Sequence, residues 1–229
     1  MTNAAPVSPA SRRTLLRVLL PIALVCIALA CGLGLWTHER GPVPFAIDTA
    51  WNNLLAATAA PLLLWFSQAM NIAGGVFVSS VVVPVAAVAA LLVTRRPWAA
   101  VYVVATLIAS TLAVQILKHL FGRARPEDII VVSDYGSFPS GHVANAATLA
   151  VLFAVLVPRA WAYVVGALWV LLMAFSRTYL HAHWLTDTVG GALVGAGIAL
   201  LMTIAFSRLL AERSWRRTTA VSGSGEQAS

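Results

Sequence analysis

Charged residues are scarce in this chain. They make up 10% of its 229 residues, whereas hydrophobic residues make up 60%, and the mean hydropathy is +0.85. A soluble domain carries about 25% charged residues, so the composition excludes an ordinary soluble fold. Cysteine is also rare, and the spacing of Cys26 and Cys31 inside one apolar run is not that of a metal site.

Long apolar runs occupy most of the sequence. A helix that crosses a bilayer needs about 20 residues, and six runs approach or exceed that length. They lie at residues 14–36, 73–94, 98–120, 142–157, 161–180 and 187–210. We therefore predict an all-α integral membrane protein with six transmembrane helices over residues 14–210, the first of them an uncleaved span rather than a signal peptide.

The stretch 43–71 is less uniform than the six runs. Polar residues such as Asp48 and Asn52 punctuate it, and Pro61 lies near its middle. Trp51 and Trp65 could anchor the stretch at the level of the lipid headgroups. We predict an amphipathic helix in the extracytoplasmic interface after the first span, with a seventh span as the alternative.

The basic residues predict an orientation. With six spans and the N-terminus inside, ten of the 15 basic residues are cytoplasmic and five are extracytoplasmic, which satisfies the positive-inside rule. Residues 1–13 and 211–229 are then cytoplasmic tails, and we expect the second tail to end in disorder. The net charge of +7 reflects membrane orientation, because no basic stripe interleaved with aromatics suggests nucleic-acid binding.

Three polar clusters interrupt the apolar runs, each at the predicted outer end of a span. Together they supply three cations, two histidines, one carboxylate and a Ser-Gly turn. The first is Lys118 with Arg125 and Pro126; the second is Pro139, Ser140, Gly141 and His142; the third is Ser176, Arg177, His183 and Asp187.

These residue types suit the chemistry of phosphate. Lys118 and Arg125 are seven residues apart, which would place them on one helix face, and Pro126 would end that helix. Ser140 as a helix cap would leave backbone amides free for an anion. Asp187, four residues after His183, could accept a hydrogen bond from one ring nitrogen and leave the other as a nucleophile.

Simpler interpretations exist for each part. The His183–Asp187 pair could be a helix-capping arrangement, and Lys118 could be a lysine that snorkels at a helix end. His181 with His183 and Asp187 could bind a metal ion, although three nearby cations would repel it.

Taken together, the clusters resemble the signature of the type 2 phosphatidic acid phosphatase family. That signature is Lys, six residues and Arg-Pro, then Pro-Ser-Gly-His, then Ser-Arg, five residues, His, three residues and Asp, and the sequence meets every position. The resemblance covers about residues 73–210. Vanadate-binding haloperoxidases share the signature, but they are soluble.

The resemblance implies a six-helix membrane phosphatase that needs no metal or cofactor. It assigns His183 as the nucleophile, Asp187 as the residue that orients it, and His142 as the acid for the leaving group. The groups that it implies for binding phosphate are Lys118, Arg125, Ser140, Gly141 and Arg177.

The expected substrate is a lipid phosphate in the cell membrane, hydrolysed on the extracytoplasmic side. Within that class we favour a polyprenyl diphosphate such as undecaprenyl diphosphate. Phosphatidic acid and phosphatidylglycerol phosphate are alternatives. A phosphotransferase that uses the same histidine, or a transporter whose cations line an anion path, also fits the residues.

Overall fold

Helices form the regular structure of this chain. The computed structural model describes residues 9–75 and 77–222, with side chains from residue 16 to 210, and within these residues it contains no strand. A short π-helix, Val78–Val82, precedes α4. The α-helices are α1 (Pro9–Glu39), α2 (Ala46–Ala57), α3 (Pro61–Ala73), α4 (Val83–Val93), α5 (Pro97–Phe121), α6 (Gly141–Leu156), α7 (Ala160–Tyr179) and α8 (Leu185–Ser222).

Four described helices are long and apolar enough to cross a membrane, namely α1, α5, α7 and α8. A fifth span results if α3 and the helical stretch Val78–Val93, which are bent by 41° relative to each other, count as one broken span. The apolar helix α6 has 16 residues, fewer than a full span requires. The all-helical membrane architecture is therefore confirmed, whereas six complete spans stay a prediction.

The stretch 43–71 forms two helices rather than the single interfacial helix that we predict. Proline lacks the N–H that an interior helical position requires, but it is well tolerated in the first turn. Accordingly α2 ends at Ala57, and Pro61 begins α3. The Tyr179 hydroxyl contacts the segment between α2 and α3, where it accepts a hydrogen bond from the Ala60 N–H at 2.8 Å.

The predicted tails lie partly outside the described residues. Helix α8 continues to Ser222, beyond the boundary at residue 210 that we predict for the last span. Residues 223–229, the end of the predicted disordered tail, and residues 1–8 of the first tail are not described.

Helix α8 packs against α1, α5 and α6, and α6 also packs against α7. Two glycines bring α8 close to the start of α6. A Cβ on Gly191 would lie 2.5 Å from the Ser140 carbonyl oxygen, and one on Gly195 would lie 2.1 Å from that of Ala144. Small residues four positions apart allow such close helix packing, and this packing places the second polar cluster beside the third.

Candidate functional site

Lys118 and Arg125 converge on one loop, but they do not share a helix face as we predict. Helix α5 ends at Phe121, because Gly122 adopts a left-handed conformation (φ 55°) and donates to the Lys118 carbonyl. Arg125 therefore lies in the loop after the helix. The two side chains meet at the Gly136 carbonyl, 2.8 Å from Lys118 Nζ and 2.8 Å from Arg125 Nη2.

Asp134 bridges these two cations. Its carboxylate lies 3.2 Å from Lys118 Nζ and 2.7 Å from Arg125 Nη2. Partial burial raises the pKa of Asp134, but Lys118 and Arg125 outweigh this effect and hold the pKa below its usual range. Asp134 is thus ionised at neutral pH, and its carboxylate binds the same two cations that a phosphate would need.

The second cluster forms the start of α6, as predicted. Ser140 occupies the N-cap position, yet among the described residues its hydroxyl has no hydrogen-bond partner and caps no amide. The predicted cap position is therefore correct, although the hydroxyl forms no capping bond. The Ser140 N–H donates to the Asp187 carbonyl at 3.0 Å. His142 Nε2 is likewise buried without a partner in the described part of the chain.

The two nitrogens of His183 have different partners. Nδ1 lies 2.8 Å from the Ser137 carbonyl oxygen, and Nε2 lies 3.3 Å from Arg125 Nη1. A carbonyl only accepts and a guanidinium only donates, so Nδ1 carries the proton and Nε2 presents a lone pair. Burial lowers the pKa of His183 to about 4, against the opposing influence of Asp187, which keeps the ring neutral at pH 7.

Asp187 is not the direct hydrogen-bond partner of His183 that we predict. Its Oδ2 is 3.7 Å from His183 Nδ1, because the Ser137 carbonyl takes that proton. Oδ2 accepts instead from the Ser137 hydroxyl and from the Trp184 N–H at 2.8 Å. Asp187 therefore caps α8 and also places a buried negative charge beside the imidazole.

Arg177 reaches the site from the end of α7. It is 2% exposed, and its Nη1 donates to the Asn71 side-chain oxygen on α3. Its Nε has no partner among the described residues. The guanidinium is thus anchored at one end and keeps a donor unsatisfied.

A cavity of about 430 Å³ joins the three clusters. Its lining includes five of the predicted site residues, namely Arg125, Gly141, His142, Arg177 and His183. Lys118, Ser140 and Asp187 do not line the cavity, but each is next to a residue that does. Ser79, Ser80 and Asn145 also line the cavity.

The histidine outside the signature has other partners. His181 Nδ1 lies 2.7 Å from the Asn52 side-chain oxygen and 2.9 Å from Asp128 Oδ2. Among the described residues, no three His, Cys, Asp or Glu side chains are grouped as metal ligands would be.

Two residues of the site were not identified from the sequence. Arg123 bonds directly to Asp187, and Asp48 on α2 bonds to Arg123. Both are ionisable residues within or beside apolar segments, where a charge is costly without a function or a partner. A charged residue in such a segment is a sequence signal for a functional site, but the three-cluster signature contains neither Arg123 nor Asp48.

Comparisons with known proteins identify relatives of the segment that contains the three clusters. Residues 99–211 match the PAP2 superfamily. The Lipid A 1-phosphatase of Rhizobium johnstonii is 32% identical over 126 residues, which cover 48% of this chain and 49% of that protein. The Undecaprenyl-diphosphatase of Sulfolobus acidocaldarius is 29% identical over 127 residues, which cover 52% of this chain and 60% of that protein. The chain thus spans about half the length of the first relative.

The fold has a solved counterpart. The crystal structure of a transmembrane PAP2 type phosphatidylglycerolphosphate phosphatase from Bacillus subtilis aligns with a TM-score of 0.70 at 23% identity, covering 82% of this chain and 96% of that one. The matched sequence segment contains all three polar clusters. The chain therefore belongs to the PAP2 superfamily through residues 99–211.

Proposed function

We propose that this protein is a membrane phosphatase that hydrolyses a lipid phosphate through a phosphohistidine at His183, without a metal ion. The observation that carries the proposal is the state of His183. Its Nδ1 proton is held by the Ser137 carbonyl, and its Nε2 lone pair lies beside Arg125 in the cavity. A neutral imidazole with a fixed tautomer is a nucleophile at pH 7.

The proposed reaction has two steps. His183 Nε2 attacks phosphorus as the bond to the leaving oxygen breaks, and His142 donates a proton to that oxygen. Water then attacks the phosphohistidine, His142 accepts a proton, and inorganic phosphate leaves. Phosphoryl transfer depends mainly on positioning and charge stabilisation, which we assign to Lys118, Arg125, Arg177, the Ser140 hydroxyl and the Gly141 amide.

The proposed substrate is a lipid phosphate of the cell membrane. Apolar side chains cover much of the described surface, so we propose that the lipid enters sideways between helices. Polyprenyl diphosphate, phosphatidic acid and phosphatidylglycerol phosphate are the sequence-based candidates. The similarity to lipid A phosphatases adds lipid A to the panel.

The proposed orientation places the site on the extracytoplasmic side, as the distribution of basic residues predicts. A single cysteine placed in the loop 127–137, in a variant without Cys26 and Cys31, tests this orientation. A membrane-impermeant thiol reagent should label it in intact cells. Labelling that requires permeabilised cells would contradict the orientation.

Phosphate release from purified protein tests the function. We expect release from at least one lipid in the panel, in detergent and in the presence of EDTA. A wild-type protein that releases no phosphate from any of these lipids would instead favour an anion or lipid-phosphate transporter. A requirement for an added divalent ion would favour the metal interpretation of His183 and Asp187.

We expect a bell-shaped pH profile of kcat, which reports the enzyme–substrate complex. His183 has a lowered pKa of about 4, so it is protonated and inactive below that pH and becomes a nucleophile as the pH rises. His142 must be protonated to act as an acid, and the negative charge of a bound phosphate favours its protonated form, so kcat should fall again on the alkaline side. Initial rates from about pH 3.5 to about 9.5 measure both limbs, and a flat profile would contradict the two roles.

We expect Asp134→Asn to strengthen phosphate binding. A substrate phosphate competes with the Asp134 carboxylate for Lys118 and Arg125. The carboxylate is 58% exposed, so its two ion pairs together contribute only about 0.4–2 kcal/mol, and KM should fall roughly 2- to 30-fold. Inhibition by inorganic phosphate should tighten equally.

The matched control is Asp128→Asn, which removes a half-exposed carboxylate of the same loop that contacts His181 and Asn52. This variant should leave KM unchanged. A higher KM in Asp134→Asn would contradict competition and would indicate that Asp134 holds the cations in place.

A further inference from the structure

Arg123 lies between two buried carboxylates. Its Nη2 is 2.6 Å from Asp48 Oδ2, and its Nη1 is 2.5 Å from Asp187 Oδ1. Asp48 and Asp187 are 0% exposed and Arg123 is 6% exposed. Because both bonds join ionised groups at short distance, they are stronger than neutral hydrogen bonds.

Thr186 completes this arrangement. Its backbone N–H donates to Asp48 Oδ1 at 2.9 Å, and its hydroxyl donates to Asp48 Oδ2 at 2.8 Å. The same hydroxyl accepts from Arg123 Nη1 at 2.7 Å. Asp48, Arg123, Thr186 and Asp187 therefore form one network that ties the first turn of α2 to the first turn of α8.

The surroundings of the network are apolar. The Arg123 guanidinium carbon lies 5.6 Å from the centre of the Phe45 ring and 5.7 Å from that of Trp184. Burying one cation and two carboxylates costs desolvation energy that such pairs often fail to recover. The network is therefore weak as a stability device, and its position beside the cavity points to a role in the reaction.

The network reaches His183 through Asp187. Arg123 donates a hydrogen bond to Asp187 Oδ1. The other carboxylate oxygen, Oδ2, accepts a hydrogen bond from the Ser137 hydroxyl. The carbonyl of the same Ser137 holds His183 Nδ1 at 2.8 Å. When Nε2 attacks phosphorus, the imidazole ring becomes positively charged, and the Asp187 carboxylate 3.7 Å from Nδ1 stabilises that charge.

We propose that Asp48 and Arg123 are positioning residues of the phosphatase reaction, which hold Asp187 and, through it, the His183 ring in the attacking orientation. The proposal rests on the proposed function above. Asp48 lies on α2, outside the matched segment 99–211, so a helix that precedes the superfamily segment supplies part of the catalytic support. The two carboxylates and one guanidinium carry a net charge of −1, which favours the cationic ring.

The test compares Asp48→Asn with wild-type protein. We expect kcat to fall on the order of 10- to 100-fold, as when hydrogen-bond partners behind a histidine ligand are removed, while KM stays within about 3-fold. The acid limb of the pH profile should also move to lower pH, because the network that holds Asp187 loses one negative charge. Asp48→Glu keeps the charge and should restore part of kcat.

The groups that face His183 stay unchanged in these variants, so the shift of the acid limb is assigned to Asp48. They are Asp134, Arg125, His142, Arg177 and Asp187. Asp128→Asn is the matched control, since it removes a carboxylate that does not touch Arg123. It should keep the wild-type kcat and acid limb.

The outcomes separate the two proposals. Wild-type protein without phosphatase activity refutes the proposed function itself. Folded Asp48→Asn with wild-type kcat and an unmoved acid limb overturns the positioning role, as does an equal loss in Asp128→Asn. If Asp48→Asn does not fold, Thr186→Val is the alternative test, because it removes only the hydroxyl shared by Asp48 and Arg123. An unchanged kcat in that variant also overturns the proposal.

Discussion

His183→Ala should reduce phosphate release by on the order of 10⁴-fold or more, because it removes the atom that takes the phosphoryl group. Substrate binding should change little, since the Lys118, Arg125 and Arg177 side chains remain. The side chain is 3% exposed, and it accepts from Arg125 Nη1, so Arg125 loses only one of several partners. Initial rates with the best lipid of the panel, and Kd for inorganic phosphate, measure the two effects separately.

His119→Ala is the matched control for this loss. His119 adjoins Lys118 in sequence, but its Nδ1 contacts the Gln115 carbonyl at 2.8 Å, and its ring stacks on Tyr135. It does not line the cavity, so activity should stay within a few-fold of wild type. Comparable losses in both variants would show that the His183 effect reflects disturbance of the fold rather than loss of the nucleophile.

His142→Gln should lose about 10²–10⁴-fold activity on a lipid phosphate, the usual contribution of a general acid. The loss should depend on the leaving group. A lipid alkoxide needs a proton to leave, whereas p-nitrophenolate leaves without one. With p-nitrophenyl phosphate, His142→Gln should therefore recover most of the first step, and His183→Ala should not.

This contrast separates the two histidines. If His142→Gln loses the same factor on both substrates, the side chain acts in binding or in the second step, in which it accepts a proton from water. Burst kinetics with p-nitrophenyl phosphate resolve these possibilities. A burst of p-nitrophenolate followed by slow turnover would show that only the second step needs His142.

The sequence predicts the helices and the chemical groups of the site better than their connections. Apolar runs located α5 and α7 to within one or two residues, because length and hydropathy in a bilayer leave few other structures possible. The spacing of Lys118 and Arg125 predicts a shared helix face, and this prediction is wrong because Gly122 ends α5 three residues before Arg125. A left-handed glycine is compatible with a helix end but does not require one, so residue spacing alone could not reveal the break.

The partners of the site residues were harder to predict. Asp187 follows His183 by four residues, which predicts a direct contact, yet the loop carbonyl of Ser137 takes that position. The link from Asp48 to Arg123 joins residues 75 positions apart, and it depends on how α2 folds back onto the start of α8. A sequence pattern records neither a backbone carbonyl as a partner nor such a tertiary contact.

The central claim is that the phosphoryl group passes through His183. Wild-type protein should be incubated briefly with a lipid substrate labelled with ³²P at the scissile phosphate, then quenched in alkali and digested for mass spectrometry. The account predicts a base-stable, acid-labile label on the peptide that contains His183, absent from His183→Ala and longer-lived in His142→Gln. Rapid phosphate release by wild-type protein with no label on His183 at any quench time, or a label on another residue, would contradict it.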